Sequence, residues 1–303
     1  MPHQPIRRVV AGVATLRPDD PALASALTLS ARLGADLHLL HVDSPGAATA
    51  PPARTRELRA LVEAMSPGAL ATGRVLCRAT AGNPEQTLRA MSTAAAADLM
   101  VLGATRRGRL AGAVLGTTAA HVLRSTRIPM LVVREPLPGR PLRVLMTTDL
   151  SHHAAHAHAR GLVLAQGLRG GAEPELRSLF VRPPALDEAP LAPVWPAEDA
   201  EGELAAFIRA EAPRAPIVPW VRTGDAAHEI VAAAREWQAG LVVVGTHGRR
   251  GIGRMFLGSV AETVVRHAPC AVLVIPPLRL YGPTMDVAGD AGGGALATAG
   301  KVA

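Results

Sequence analysis

Ala239-Gly240-Leu241-Val242-Val243-Val244-Gly245 and Ala97-Asp98-Leu99-Met100-Val101-Leu102-Gly103 are one phrase written twice. Each is followed by an Arg- and Gly-rich loop. Each loop leads into a matching helix opening, Phe256-Leu257-Gly258-Ser259-Val260-Ala261 and Val114-Leu115-Gly116-Thr117-Thr118-Ala119. Counterparts stay 142 residues apart from Gly82/Gly224 through Gly103/Gly245 to Gly116/Gly258. A constant offset over such a length marks an internal repeat. Two copies of one domain are expected, 1–134 and 142–278. Glu135-Pro136-Leu137-Pro138-Gly139-Arg140-Pro141 joins them, and its Pro/Gly density suits a boundary. Residues 279–303, Gly/Ala-rich and without periodicity, read as a disordered tail.

Short apolar runs alternate with helical patterns in both copies. In the first copy the runs are Arg8–Val13, Asp36–Val42, Arg74–Ala79, Leu99–Leu102 and Met130–Val133. Helical spacing fills Pro21–Leu33, Arg54–Met65, Pro84–Ala96 and Thr117–Arg124. The second copy repeats the pattern, with strands at Arg143–Thr147, Glu175–Val181, Val218–Arg222, Leu241–Val244 and Ala271–Ile275. Strands that are apolar throughout are covered on both faces, as in parallel sheets. The fold class is therefore α/β: two copies of an open, doubly wound, parallel five-stranded sheet, Rossmann-like, with strand order 3-2-1-4-5. Each copy closes on an apolar strand that would form a sheet edge. Such edges invite pairing, so the copies are expected to pack as an internal pseudo-dimer, with room for a homodimer beyond it.

Composition excludes several function classes. Hydrophobic residues make up 49% and charged residues 19% of the 303, enough apolar material for two buried cores. No run approaches the roughly 18 apolar residues of a membrane span. The N-terminus has no signal-peptide pattern, and two cysteines, Cys77 and Cys270, make no disulfide framework; a cytoplasmic location fits. Both cysteines lie in apolar runs and read as core residues. The formal charge is +7, almost all of it arginine, and Lys301 is the only lysine. P-loop NTPases and Schiff-base enzymes need a lysine inside a folded domain, so both are excluded. Seven aromatic residues are too few for a nucleic-acid stacking platform, and no nucleic-acid partner is expected.

The chemistry concentrates in Gly245-Thr246-His247-Gly248, nine residues, then Gly258-Ser259. The first group follows a strand and the second opens a helix. Glycines let backbone amides approach an anion, and a helix N-terminus offers free amides and a favourable dipole. The pattern reads as a phosphate cradle; the plainer alternative is a Gly/Arg loop followed by an ordinary serine cap. Val144-Leu145-Met146-Thr147-Thr148-Asp149-Leu150-Ser151 places Asp149 just after the first strand of the second copy. In a doubly wound sheet, ligands sit at the carboxyl ends of strands where the order reverses, so Asp149 and Gly245 would border one pocket. Asp149 or Ser151 would equally serve to cap the next helix.

Together these residues resemble the universal stress protein family in its tandem form. The family signature Gly-x2-Gly-x9-Gly-Ser/Thr is matched by Gly245, Gly248, Gly258 and Ser259. Asp149 and Ser151 match the family's Asp-x-Ser, and Val181 its adenine-flanking valine. The resemblance implies a stress-response regulator binding ATP or another adenine nucleotide, with Mg optional, mainly in the second copy. The implied site is Thr147, Asp149, Val181, Val244, Gly245, His247, Gly248, Gly258, Ser259 and Val260. An unidentified protein partner is implied as well. The first copy departs from the signature: Arg106 replaces the second glycine and Ala14 the aspartate. A non-binding half follows, unless Arg106 adds its charge to a phosphate.

No catalytic or metal residues are assigned. The sequence has no Ser-Gly-Gly motif; a slow ATPase or nucleotidyl-transfer enzyme is the alternative. His247 is a phosphate donor, a base or a solvated side chain, and Arg249 and Arg250 are candidate phosphate contacts. His152, His153, His156 and His158 have helical spacing compatible with a metal, but nothing nearby completes a ligand set, so a solvated face is the expectation.

Overall fold

The structure, a computed structural model, describes residues 5–46, 49–104, 115–137, 142–169, 171–184, 199–246 and 257–277. In the first copy these form β1 (Arg8–Val13), α1 (Pro21–Leu33), β2 (Asp36–Asp43), α2 (Pro51–Met65), β3 (Val75–Ala81), α3 (Pro84–Ala94), β4 (Leu99–Gly103), α4 (Thr117–Ser125) and β5 (Met130–Val133). The second copy follows with β6 (Arg143–Thr148), α5 (His152–Gly167), β7 (Glu175–Arg182), α6 (Ala200–Glu211), β8 (Ile217–Thr223), α7 (Ala226–Glu236), β9 (Leu241–Gly245), α8 (Ser259–His267) and β10 (Ala271–Ile275). The strand order is 3-2-1-4-5 in each half. The central strands β1, β4, β5, β6, β9 and β10 are almost wholly buried, which is why they read as unbroken apolar runs.

The two halves form one ten-stranded sheet, β3-β2-β1-β4-β5-β10-β9-β6-β7-β8. All pairings are parallel except the join, where β10 runs antiparallel to β5. There Val272 faces Val132, Leu273 faces Leu131 and Val274 faces Met130. Leu131 and Leu273 are themselves repeat counterparts, so a pseudo-twofold axis passes between them, as in an isologous dimer contact. The expected pseudo-dimer is thus an internal strand pairing. One apolar layer, with Leu23, Leu58, Leu164 and Leu204, backs one face of all ten strands; another, with Leu88, Val122, Val231 and Val264, backs the other face of the inner strands, while Leu76 on β3 and Val218 on β8 are exposed. Arg32 of α1 donates to the carbonyl of Leu168 at 2.7 Å, and Arg124 of α4 pairs with Glu262 of α8 at 2.7 Å, which ties the halves on both faces.

Two sequence expectations are corrected. His158 does not lie on a solvated face; it is 1% exposed, its Nε2 is 3.3 Å from Ser178 Oγ, and its ring meets Phe207 edge-on. The helical stripe it shares with Ala154, Ala157, Gly161 and Leu162 faces the sheet. Burial pushes its pKa down to about 4, so the ring is neutral. Cys77 and Cys270 are half-buried rather than core residues. Burial still raises their thiols to about 11 and about 12, which keeps them protonated and inert. The tail 279–303 lies outside the described residues.

Candidate functional site

The reversal of strand order in the second copy falls between β6 and β9. Their register ends at Met146↔Val243, although β6 continues to Thr148 and β9 to Gly245. The outer neighbours keep pairing, β6 with β7 up to Thr148↔Phe180 and β9 with β10 up to Ile275↔Gly245. The two central strands therefore part before either ends, and a notch opens at their carboxyl ends. Thr147 is buried and donates its hydroxyl to the carbonyl of Val243 at 3.0 Å, which satisfies the ladder where the split begins.

Opposite the notch stands the N-terminus of α8. Its first intrahelical bond is Glu262 N–H to the carbonyl of Gly258, so the amides of Ser259, Val260 and Ala261 precede the hydrogen-bonded turns. The Gly258 amide donates to the Thr246 carbonyl at 2.9 Å, and the Thr246 amide to the Ile275 carbonyl at 2.9 Å. A Cβ on Gly258 would sit 2.7 Å from that same Thr246 oxygen. The glycine is therefore required by the approach of the chain's own backbone, before any ligand is considered. Glu262 lies in the first turn of α8, where negative charge is favoured. Its carboxylate is turned onto Arg266 and Arg124, whose bonds hold it below the ordinary range.

Asp149 is half-buried and accepts from the Ser151 amide at 3.1 Å and the Ser151 hydroxyl at 2.5 Å. Ser151 in turn caps α5 by accepting from Ala154 N–H. The capping alternative therefore holds for Ser151, with Asp149 as its support. Val181 and Val244 are the last residues but one of β7 and β9, the first half-buried and the second buried. Ser259 is exposed and Val260 half-buried. Thr147, Asp149, Val181, Val244, Gly245, Gly258, Ser259 and Val260 are thus gathered at one end of β9, β6 and β7. His247, Gly248, Arg249 and Arg250 lie outside the described residues, as does Arg106 in the first copy. Among the described residues no three His, Cys, Asp or Glu side chains are grouped to hold a metal, and no helix is long and apolar enough to cross a membrane.

A model of the universal stress protein family matches residues 5–134 and 142–276. The chain belongs to the universal stress protein family. A universal stress protein of Mycolicibacterium smegmatis is 29% identical over 191 residues, which cover 60% of this chain and 62% of that protein. Universal stress protein MJ0531 of Methanocaldococcus jannaschii is 50% identical over 52 residues, 17% of this chain and 31% of that one. The matches thus span less than two thirds of these curated relatives. Among solved structures, a functionally unknown protein of Pseudomonas aeruginosa, PA1789, superposes with a TM-score of 0.69 at 20% identity, covering 90% of this chain and 93% of that one. A universal stress protein from Archaeoglobus fulgidus gives 0.63 at 19% identity, covering 88% and 98%. These likenesses bear on the fold.

The first universal-stress-protein repeat carries residues at its own strand reversal that sequence reasoning passed over. Asp20, 3% exposed, accepts from Ala14 N–H, Thr15 N–H and the Thr15 hydroxyl with one carboxylate oxygen, and from Ala22 and Leu23 N–H with the other. A side-chain anion therefore holds the amides that follow β1. His41, buried beside them, sets Nδ1 2.9 Å from the Val13 carbonyl and Nε2 3.3 Å from Asp43. The one signal in the sequence was Asp20 directly before Pro21, a cap followed by a proline at the first helical position.

Proposed function

We propose that the protein is a stress-response regulator that binds ATP or another adenine nucleotide in its second repeat, without efficient catalysis. The observation that carries this reading is the notch between β6 and β9 facing the free amides of α8. Phosphates would lie on the amides of Ser259 and Val260 and on the loop opened by Gly245, Gly248 and His247. Val181 and Val244 would flank the base, and Asp149 would accept from the sugar or base, a role suited to a carboxylate at a strand end. An accompanying Mg ion would sit on the phosphates. The protein would act in the cytoplasm by biasing a surface for a partner.

The cradle offers backbone amides and a hydroxyl, which bind ground state and transition state alike; affinity without rate follows. The chain's single lysine, Lys301, is far from the motif in sequence. Equilibrium dialysis of the full chain with labelled ATP should show one site per chain. Phosphate release at saturating ATP and Mg should stay below about 1 s⁻¹, the floor of typical enzymes. No binding would refute the ligand. Faster release that Asp149→Ala abolishes would make the protein an enzyme.

A further inference from the structure

A cavity of about 400 Å³ opens beside the join between the repeats. It is bounded by the chain leaving β5, the end of α7 and the first residues of β10. In the second repeat these are the amino ends of β9 and β10, the opposite end of the sheet from the notch. The size is within the range of small-molecule sites, roughly 300–1,000 Å³.

Two arginines line it, one from each repeat. Arg134 is 8% exposed. It donates to the Val265 carbonyl in the last turn of α8 and to the Cys270 carbonyl at 3.4 Å, while its Nε–H is buried without an acceptor. Arg235, exposed on the other wall, donates to the His267 carbonyl at 3.4 Å. Neither makes an ion pair with a described carboxylate. The negative end of α8 supplies only about half a charge for two guanidinium groups. Burial lowers the pKa of Arg134, and the neighbouring Cys270 thiol, raised to about 12, brings no negative charge. A buried cation without a counter-charge is costly, and the cavity beside it has room for one. Glu135 is the one carboxylate of the wall and is exposed. Leu137 and Ala271 contribute apolar surface.

We propose that this cavity binds a small organic anion, with a phosphate or carboxylate head held by Arg134 and Arg235 and an apolar body against Leu137 and Ala271. Arginine suits such a head because its fork matches two oxygens at once. The site is separate from the nucleotide notch and does not depend on it.

Isothermal titration of the full chain with phenyl phosphate tests this, with inorganic phosphate and benzyl alcohol as partial probes. Phenyl phosphate should bind one per chain, on the order of 1 mM, and saturating ATP should leave that binding in place. Inorganic phosphate should bind about tenfold more weakly, and benzyl alcohol without saturation. Arg134→Gln should weaken phenyl phosphate tenfold or more, and Arg235→Gln about threefold. Arg235 is exposed, so its variant reads the site even if Arg134→Gln does not fold. Absence of binding at about 10 mM, displacement by ATP, or affinity untouched by either substitution would overturn the proposal.

Discussion

The two strand reversals of this molecule have the same topology and opposite contents. In the second repeat β6 and β9 stop pairing at Met146↔Val243, and a three-residue connection leads to a short serine cap. In the first repeat β1 and β4 stay paired to Gly12↔Leu102, one pair further in the repeat. A Cβ on Gly12 would meet Leu102 at 2.6 Å and Leu88 at 3.1 Å, so side chains already occupy that end of the strand. The connection to α1 is longer and wraps around the buried carboxylate of Asp20. One reversal parts its strands early. The other keeps them paired one residue longer, packs leucines against that strand end and holds a carboxylate of its own. Duplicating a fold therefore does not duplicate the residues at its strand ends.

The comparison can be broken most forcefully at Asp20. Asp20→Ala strands five donors, two of them at a helix start, and should cost about 3 kcal/mol in a urea unfolding experiment. Ser151→Ala, its counterpart, removes one cap bond and the hydroxyl bond to Asp149 and should cost about 1 kcal/mol. Equal losses would mean that the Asp20 carboxylate holds its connection no more firmly than a single serine cap does.

His158 separates the repeats by pH. Its ring is buried neutral with a pKa of about 4, while the unfolded chain takes up a proton near the ordinary value of 6.5. Between those values the unfolded state binds more protons, so stability falls as pH drops through that window. The loss should be on the order of 3 kcal/mol, and His158→Leu should flatten that part of the profile. A wild-type profile level from pH 6.5 to 4 would contradict the burial.

At the notch, Gly258→Val places a Cβ against the Thr246 carbonyl and should weaken ATP binding tenfold or more, about 1.4 kcal/mol. Gly116→Val in the first repeat should leave ATP binding unchanged. The reverse result would put the nucleotide in the wrong repeat. The smallest effect is expected from Arg124→Ala. Arg124 and Glu262 bridge the repeats at 2.7 Å but are 40% and 26% exposed, so the stability loss should be about 0.2–1 kcal/mol. A larger loss would mean that ion pairs rather than strand pairing hold the halves together.

The elements and the repeat were legible because buried parallel strands must be apolar and the offset of 142 is carried by glycines with fixed jobs. The pairing of β5 with β10 was legible for a related reason, since an apolar edge strand needs a neighbour. The distance between the Thr246 carbonyl and Gly258 was not. The spacing pointed to a ligand's phosphate as the reason for that glycine, whereas the nearest atom is the protein's own oxygen. Asp20 was passed over because a cap before a proline is an ordinary sequence, and nothing local tells that Ala14 and Thr15 fold back onto it. His158 was misread because four histidines in seven residues look polar, while helical geometry turns only one of them inward.

The join at β5 and β10 rests on three facing residue pairs, a short contact for two free partners. Here the partners share a chain, and a short connection of this kind gives an effective concentration in the millimolar range or above, on the order of 1 mM. Dilution therefore cannot separate them, and the contact survives at protein levels where a dimer of single repeats would dissociate. The tether also removes the requirement that both partners be identical. Each half can drift alone, one parting its central strands early and the other holding its first connection on a buried carboxylate, because neither has to form the join with a copy of itself.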